Sequence, residues 1–471
     1  MLTLSVDTLI NVTSGELLCG SPDLMLNGVC TDSRCVQSGS AYVAFPGERV
    51  DGHDFLVEAI GDGARALLVT RSGEELAEVV EAAAKRGVAV VRIGDALQAV
   101  QELASYHRDR LFCPVIGVTG STGKTTTKEF ITAALGMDRD VVATRGNRNN
   151  ELGVPLTILE AGADTDVLVV EMAMRGVGQI AELCRIARPT VGLVTNVGTS
   201  HIEILGTQEA IAFAKAELIE SIPEDGISFL NGDDAFSDTL AMSSRAVVVR
   251  YGLGESSDIC AIDVELDDES RASFTLSAPG VEPTRITLGL PGRHNIYNAL
   301  AAAGVALHVG VSADLVAAGL ASANAGEMRM QSFTSAAGVH VINDAYNANP
   351  VAMRAAVETL AGFTSAPRRI AVLGDMAELG SLTELAHFGI GEQVAHSAVE
   401  VLVTVGPRAA RIADGARTAG MDDEWIRPCA TPEEASEVLD DLLEEGDVVL
   451  VKASRVMGLE RVVEGIVEPR V

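Results

Sequence analysis

Gly117-Val118-Thr119-Gly120-Ser121-Thr122-Gly123-Lys124-Thr125-Thr126-Thr127 is the stretch that decides how this chain is read. The apolar pair Val115-Ile116 precedes it, and a helical pattern from Lys128 to Leu135 follows. Strand, glycine loop, Lys-Thr and helix together form a cradle for phosphate. Backbone N–H groups over Gly120, Ser121, Thr122, Gly123, Lys124, Thr125 and Thr126 face the anion at a helix N-terminus. Lys124 neutralises charge, and the Thr125 hydroxyl can hold a magnesium ion. The spacing is irregular: Val118 stands where the first glycine of such loops usually falls, and glycines stand at 117 and 120 instead. Nucleoside-triphosphate binding is the first expectation.

A length of 471 residues suggests about three domains. Apolar residues make up 47% of the chain, enough for sizeable cores, while 46 glycines and only 4% aromatics suit α/β layers with many tight turns. The net charge of −31 argues against nucleic acid or an anionic membrane as a partner. An anionic substrate must then be met by local cations and metal ions. Seven cysteines are scattered along the chain, the closest pair Cys30 and Cys35 too widely spaced for CxxC, and no zinc-ligand cluster is present, so reduced thiols in the cytoplasm are expected. Met1 to Thr13 carries Asp7 and no basic stretch, so no signal peptide is evident. The apolar run after Asn295 contains Gly304, His308 and Gly310 and reads as a buried helix of small residues, not a membrane span.

The pattern divides into 1–110, a small mixed α/β domain; 111–334, a central parallel-sheet domain around the phosphate loop; and 335–471, a Rossmann-like α/β domain. Strands are expected at Ala41–Phe45, Ala66–Thr70 and Val88–Ile93, with helices over Glu74–Arg86 and Leu97–Arg110. In the centre, Val167–Val170 ends in Glu171, and Val191–Val197 leads to Thr199 and His201. Such continuous apolar strands belong to a parallel sheet, whose ligands sit beyond the carboxyl ends of the strands. The loop, Glu171 and His201 are therefore expected on one edge. A polar, antiparallel segment is expected over Ile259–Leu288, then a helix from Asn295. The last domain offers strands at Val339–Ile342, Ile370–Leu373, Val399–Val405 and Val448–Val451, and no GxGxxG after its first strand, so no nicotinamide cofactor is predicted.

Several further stretches carry a family resemblance. They are Gly146-Asn147-Arg148-Asn149-Asn150-Glu151-Leu152-Gly153, Asn196-Val197-Gly198-Thr199-Ser200-His201-Ile202-Glu203, Gly292-Arg293-His294-Asn295 and Asp344-Ala345-Tyr346-Asn347-Ala348-Asn349-Pro350. With Gly374–Gly380, Lys452–Gly458, Thr31-Asp32-Ser33-Arg34 and Asp51-Gly52-His53, they make the chain similar to the Mur ligases over nearly its whole length. The Tyr-Asn-Ala-Asn-Pro and Gly-Asn-x-Asn-Asn-Glu motifs favour the member that adds D-alanyl-D-alanine to a UDP-N-acetylmuramoyl tripeptide. Ala173 and Ala453 stand where the family usually has glycine, and Thr199-Ser200 where it usually has Pro-Ala.

The resemblance implies ATP and Mg2+ as cofactors and an acyl-phosphate route. ATP phosphorylates the substrate carboxylate, an amine attacks, and phosphate leaves. It implies catalytic roles for Lys124, Glu171, His201 and Lys215. The metal ligands would be Thr125 for one Mg2+, and Glu171, His201 and a carbamylated Lys215 for a second, since a carbamate turns that lysine from cation to carboxylate-like ligand. Asn295, Arg329 and Asp344 would bind adenine, ribose and phosphates. Asn149, Asn150, Tyr346, Asn347, Asn349, Ser454 and Arg455 would contact acceptor peptide or incoming dipeptide. Thr31, Asp32, Ser33 and Arg34 would hold the uridine diphosphate end, and the protein would act as a monomer. A sister Mur ligase, a folyl-polyglutamate-type ligase, and a nucleotide-binding regulatory module without ligase activity stay open as alternatives. The Asn/Pro turn at 347–350 also has a plain alternative as a helix cap.

Overall fold

Runs of Val, Ile and Leu without polar alternation belong in strands covered on both faces. Val115–Thr119 and Val167–Glu171 are such runs, and every residue in both is buried. In the structure, a computed structural model that describes residues 1–71, 73–254 and 256–467, these two strands are neighbours in a nine-stranded sheet. Across the sheet the order is Thr284–Pro291, Arg271–Ser277, Ile259–Leu266, Val247–Gly252, Ile227–Asn231, Val191–Val194, Val115–Thr119, Val167–Glu171, Val141–Ala143. Every pairing from Val141–Ala143 to Ile259–Leu266 is parallel, and the two at the far edge are antiparallel.

The irregular glycine spacing has a packing explanation. Gly117 lies in mid-strand, where a Cβ would sit 2.8 Å from Leu218 Cδ1, so it lets helix Gln208–Glu220 lie close against the sheet. Gly120 makes the turn itself, at φ +149° with a Cβ position only 1.8 Å from Thr195 Oγ1. The helix behind the loop begins at Lys124, not Lys128, because Gly123 at φ +79° turns the chain directly into it. Strand Val191–Val194 stops short of the expected Val197 because Thr195 and Asn196 turn to the loop: the Ser121 N–H donates to Asn196 O at 3.0 Å. Strands Ile227–Asn231 and Val247–Gly252 were not legible as such. They extend the sheet so that the expected antiparallel segment joins its edge through Ile259–Leu266.

A five-stranded sheet built from Glu16–Cys19, Ala89–Arg92, Ala66–Val69, Ala41–Val43 and Val29–Cys30 precedes the central one, and a six-stranded sheet from Gln331–Thr334 to Val448–Lys452 follows it. The fold is thus three α/β domains in sequence. The expected helix over Glu74–Arg86 is a short 3-10 turn, Gly73–Leu76, followed by Ala77–Arg86. Apolar packing joins the first two sheets. One buried cluster runs from Leu2, Leu26 and Leu103 into Val154, Ile158 and Leu168. The clusters around the last sheet contain no residue before Met330. Helix Asn295–His308 is buried against the central sheet, and no helix among the described residues is long and apolar enough to cross a membrane. All seven cysteines are free.

Candidate active site

The carboxyl ends of the central strands open onto a cavity of about 1210 Å³, walled by all three domains. The phosphate loop forms its floor. Lys124 Nζ donates to Gly120 O at 2.7 Å, and Thr195 Oγ1 donates to Thr122 O at 2.6 Å. Asn196 Oδ1 accepts from the Thr122 N–H at 3.0 Å, and the Gly198 N–H donates to Ser121 Oγ at 2.8 Å. The N–H groups of Ser121 and Thr122, expected to face phosphate, are therefore used to fasten the loop. The anion-facing donors are left to Gly123 and the first turn of helix Lys124–Leu135. Gly120 shapes the turn and does not line the cavity.

Glu171, at the end of its buried strand, is 1% exposed. Its Oε2 accepts from Thr125 Oγ1 at 2.9 Å and its Oε1 from Asn149 Nδ2 at 2.7 Å. Burial lowers the Lys124 pKa from its ordinary value, Glu171 opposes that shift, and Arg329 adds to it. The Thr125 hydroxyl and Glu171 carboxylate form an oxygen pair suited to a hard divalent cation. Among the described residues there is no ready-made cluster of three His, Cys, Asp or Glu for a metal. A cation here would complete its shell with phosphate oxygens and water.

His201 lines the same cavity at φ +64°, and its Nδ1 lies 2.8 Å from Glu378 Oε2 of the last domain. Burial is the main force lowering its pKa; Glu378 opposes it, while Lys124 and Lys215 reinforce it. Lys215 is not on the cavity wall. It is buried in helix Gln208–Glu220, 2% exposed, and no carboxylate lies within ion-pair distance among the described residues. Burial first, then Lys124, pushes its pKa well below the ordinary lysine value, against a smaller pull from Asp234. Such a shift favours the neutral amine over the ammonium.

On the opposite side, Asn295 Nδ2 donates to Pro291 O at 2.7 Å and its Oδ1 accepts from Asn298 Nδ2 at 2.9 Å. Asn298 also takes the Thr127 hydroxyl at 3.1 Å, tying this helix to the one behind the phosphate loop. His294 is held neutral, its pKa lowered by burial to about 4 despite nearby Asp344. Gly292 makes room for it, since a Cβ there would fall 2.5 Å from His294 Cε1. The Arg329 guanidinium stacks 4.0 Å over the Tyr346 ring. Asp344 accepts from the Met330 N–H at 3.1 Å and from Lys452 Nζ at 2.5 Å.

Asn149, Asn150, Tyr346, Asn347 and Asn349 all line the cavity. Asn150 Oδ1 takes the Gly153 N–H at 2.9 Å, and Asn349 caps helix Pro350–Ala361 through the Ala352 N–H at 2.9 Å. Asn349 also donates to Ser200 Oγ at 3.2 Å, so it both caps a helix and bridges two domains. Two expectations need correction. Ser454 does not reach the cavity, because its Oγ accepts from the Ala377 N–H at 2.8 Å in a buried position. Arg455 is not on the cavity wall; it pairs with Glu460 at 3.0 Å and donates to Met328 Sδ at 3.2 Å. Thr31, Asp32, Ser33 and Arg34 also lie outside the cavity wall: Asp32 caps the turn Ser33–Cys35 and pairs with the exposed Arg34 at 2.6 Å, which holds its carboxyl down at about 2.

Lys452 also lines the cavity, in a stretch quoted for the resemblance but given no role there. Its signal was present: a charged residue ending the apolar strand Val448–Lys452, the same pattern that singled out Glu171. Thr195 and Asn196, just beyond Val191–Val194, follow the same rule. Glu378 sits inside a quoted motif, and nothing local marks it as facing another domain.

A P-loop sheet flanked by two α/β domains, with a lysine, a strand-end glutamate and a loop histidine on one cavity, is the architecture of an ATP-dependent ligase. The Mur ligase middle domain matches residues 118–306, the Mur ligase glutamate ligase domain 328–455, and the Mur ligase family catalytic domain 26–107. The chain belongs to the Mur ligase family. It is 35% identical over 444 residues to UDP-N-acetylmuramoyl-tripeptide–D-alanyl-D-alanine ligase from Bacillus subtilis, covering 94% of each chain. Among solved structures it is similar to MurF from Acinetobacter baumannii, with a TM-score of 0.86, 29% identity and 99% of both chains covered. It is also similar to MurF ligase from Thermotoga maritima in complex with ADP, with a TM-score of 0.77 and 30% identity, covering 93% of this chain and 96% of that one.

Proposed function

We propose that this chain is a cytoplasmic ATP-dependent amide ligase that joins D-alanyl-D-alanine to the free carboxylate of a UDP-N-acetylmuramoyl tripeptide, releasing ADP and phosphate. The observation that carries the reading is the single cavity on which Lys124, Thr125, Glu171 and His201 meet residues from the domains on either side. Full-length similarity to ligases of that name supports the substrates.

In the first step a tripeptide carboxylate oxygen attacks the γ-phosphorus of ATP, the bond to the β-phosphate oxygen breaks, and ADP leaves. In the second, the dipeptide amine attacks the acyl carbon, the C–O bond breaks, and phosphate leaves with one former carboxylate oxygen. Such transfers require alignment and charge neutralisation more than covalent help. Lys124 and the first turn of helix Lys124–Leu135 would hold the β- and γ-phosphates. Arg329, Asp344 and Asn295 would hold the nucleoside side, and Asn149 and Asn150 the acceptor peptide. Thr31 to Arg34 would take the uridine diphosphate end on the first domain.

Thr125 and Glu171 would hold one Mg2+, and His201 and Lys215 would help hold a second. When bound, these ions supply charge neutralisation at the phosphates and the acceptor carboxylate. Lys215 fits only after modification, because an ammonium beside Lys124 would repel a cation. Its depressed pKa supports carbamylation, which needs the neutral amine. Closure of the domains would exclude water from the acyl phosphate.

The test is phosphate release from ATP with tripeptide substrate alone, with dipeptide alone and with both, together with the mass of the product. Release that requires both and yields the pentapeptide supports the reading. Slow hydrolysis indifferent to both substrates would point to a regulatory nucleotide-binding module. Turnover with a different amine would point to a sister ligase.

A further inference from the structure

Across the seam between the central and last domains, His201 and Glu378 face each other with 2.8 Å between Nδ1 and Oε2. The contact is close but falls outside hydrogen-bond geometry, and that nitrogen has no other hydrogen-bond partner among the described residues. Both residues have left-handed backbone, φ +64° and +60°, which residues with a Cβ adopt only at a cost in strain. Such strain on both sides of one contact indicates a geometry imposed by the surrounding structure.

The loop that carries Glu378 is fastened just before it. Asp375 accepts from the Arg408 and Ala409 N–H groups at 3.0 and 2.7 Å, the Met376 N–H donates to His387 Nε2 at 2.9 Å, and the Ala377 N–H donates to Ser454 Oγ at 2.8 Å. Just beyond it, Gly380 at φ +53° would place a Cβ 3.5 Å from Glu203, two residues after His201. The loop is therefore shaped to bring a carboxylate to this imidazole. Ser454, which does not reach the cavity, has its use here.

We propose that Glu378 is a positioning residue for His201: it occupies the Nδ1 side of the ring, leaves Nε2 as the open lone pair, and does so only while the last domain is docked. A histidine that ligates a metal is commonly oriented by a carboxylate on its other nitrogen. Here that carboxylate comes from a different domain, so domain docking and completion of the metal site become one event. The inference rests on the reading of His201 as a metal ligand.

The experiment uses Mn2+ as a spin probe with the full chain and a non-hydrolysable ATP analogue. Free Mn2+ is read by electron paramagnetic resonance, and the ring nitrogens of His201 by 15N chemical shift. Glu378→Ala is expected to weaken Mn2+ binding by about 10- to 100-fold and to shift His201 from one tautomer toward a mixture. Glu378→Gln, which keeps an oxygen acceptor, is expected to lose less on both readouts. The Glu378 side chain is 47% exposed, so both variants should fold, with thermal unfolding as the check. Unchanged ring-nitrogen shifts in Glu378→Ala overturn the proposal, whatever the Mn2+ affinity. His201→Ala separates the two layers. If it binds Mn2+ as the parent does, the metal-ligand reading fails and this inference with it. If it loses affinity while Glu378→Ala does not, only this inference fails.

Discussion

The two seams of this molecule are built differently. Between the first and central domains the contact is an apolar core: Leu103 and Val100 of helix Ala96–Arg108 share one buried cluster with Val154 and Ile158. Backbone acceptors reinforce it, with His107 Nε2 donating to Ala161 O at 2.8 Å and Arg108 Nε to Ala187 O at 2.7 Å. Between the central and last domains the buried apolar clusters do not merge, and the contacts named above are polar: Asn349 to Ser200 and His201 to Glu378. Apolar burial is non-directional and costly to undo, whereas a few polar pairs can exchange with water at little net cost. The first seam therefore makes a fixed joint. The second is suited to opening and closing over the cavity.

The largest effect is expected at the floor common to both seams. Lys124→Ala should lower ATP turnover and ligation together by at least about a hundredfold, the scale for removing one charge-stabilising donor; normal amide formation would refute its assigned role. Next, Leu103→Ala opens a hole in the apolar seam and should cost about 3 kcal/mol in denaturant unfolding. If the first two domains are joined as described, they should lose stability together in hydrogen exchange while the last sheet keeps its protection. Ser200→Ala removes one polar tie of the other seam and should cost about 1 kcal/mol or less. It should show as a few-fold loss in kcat/KM with little change in melting temperature, and a large drop in melting temperature would contradict the contrast.

The last effect is confined to acid pH, a signature at His294. Its folded pKa is about 4 against an ordinary 6.5, so the unfolded chain takes up the proton first. Its contribution to stability is complete above about 6.5 and is lost as pH falls toward 4. His294→Gln should flatten the acid side of the unfolding profile. An unchanged slope would remove His294 as its source.

Much of the fold was legible because its key strands are buried on both faces and read as unbroken aliphatic runs. Val115–Thr119, Val167–Glu171 and Val448–Lys452 are of this kind. Ile227–Asn231 was hidden because Ser228 interrupts it, and Val247–Gly252 because Arg250 and Tyr251 do. The candidate site was legible where side chains end strands or begin helices, as with Lys124, Glu171 and Asn295. It failed where a motif faces a neighbouring loop. Ser454 and Arg455 sit in a stretch that reads as substrate-facing, yet one pins the Glu378 loop and the other is held by Glu460 and Met328. The partner of a residue across a domain boundary depends on how domains dock, and no local pattern encodes that.

The central claim is that a carboxylate is activated by ATP before the amine arrives. Its most direct test follows the oxygen, using tripeptide substrate labelled with 18O in its terminal carboxylate and turned over with ATP, Mg2+ and D-alanyl-D-alanine. The account predicts one 18O in the released phosphate for every amide bond formed. Amide formation accompanied by unlabelled phosphate would contradict it.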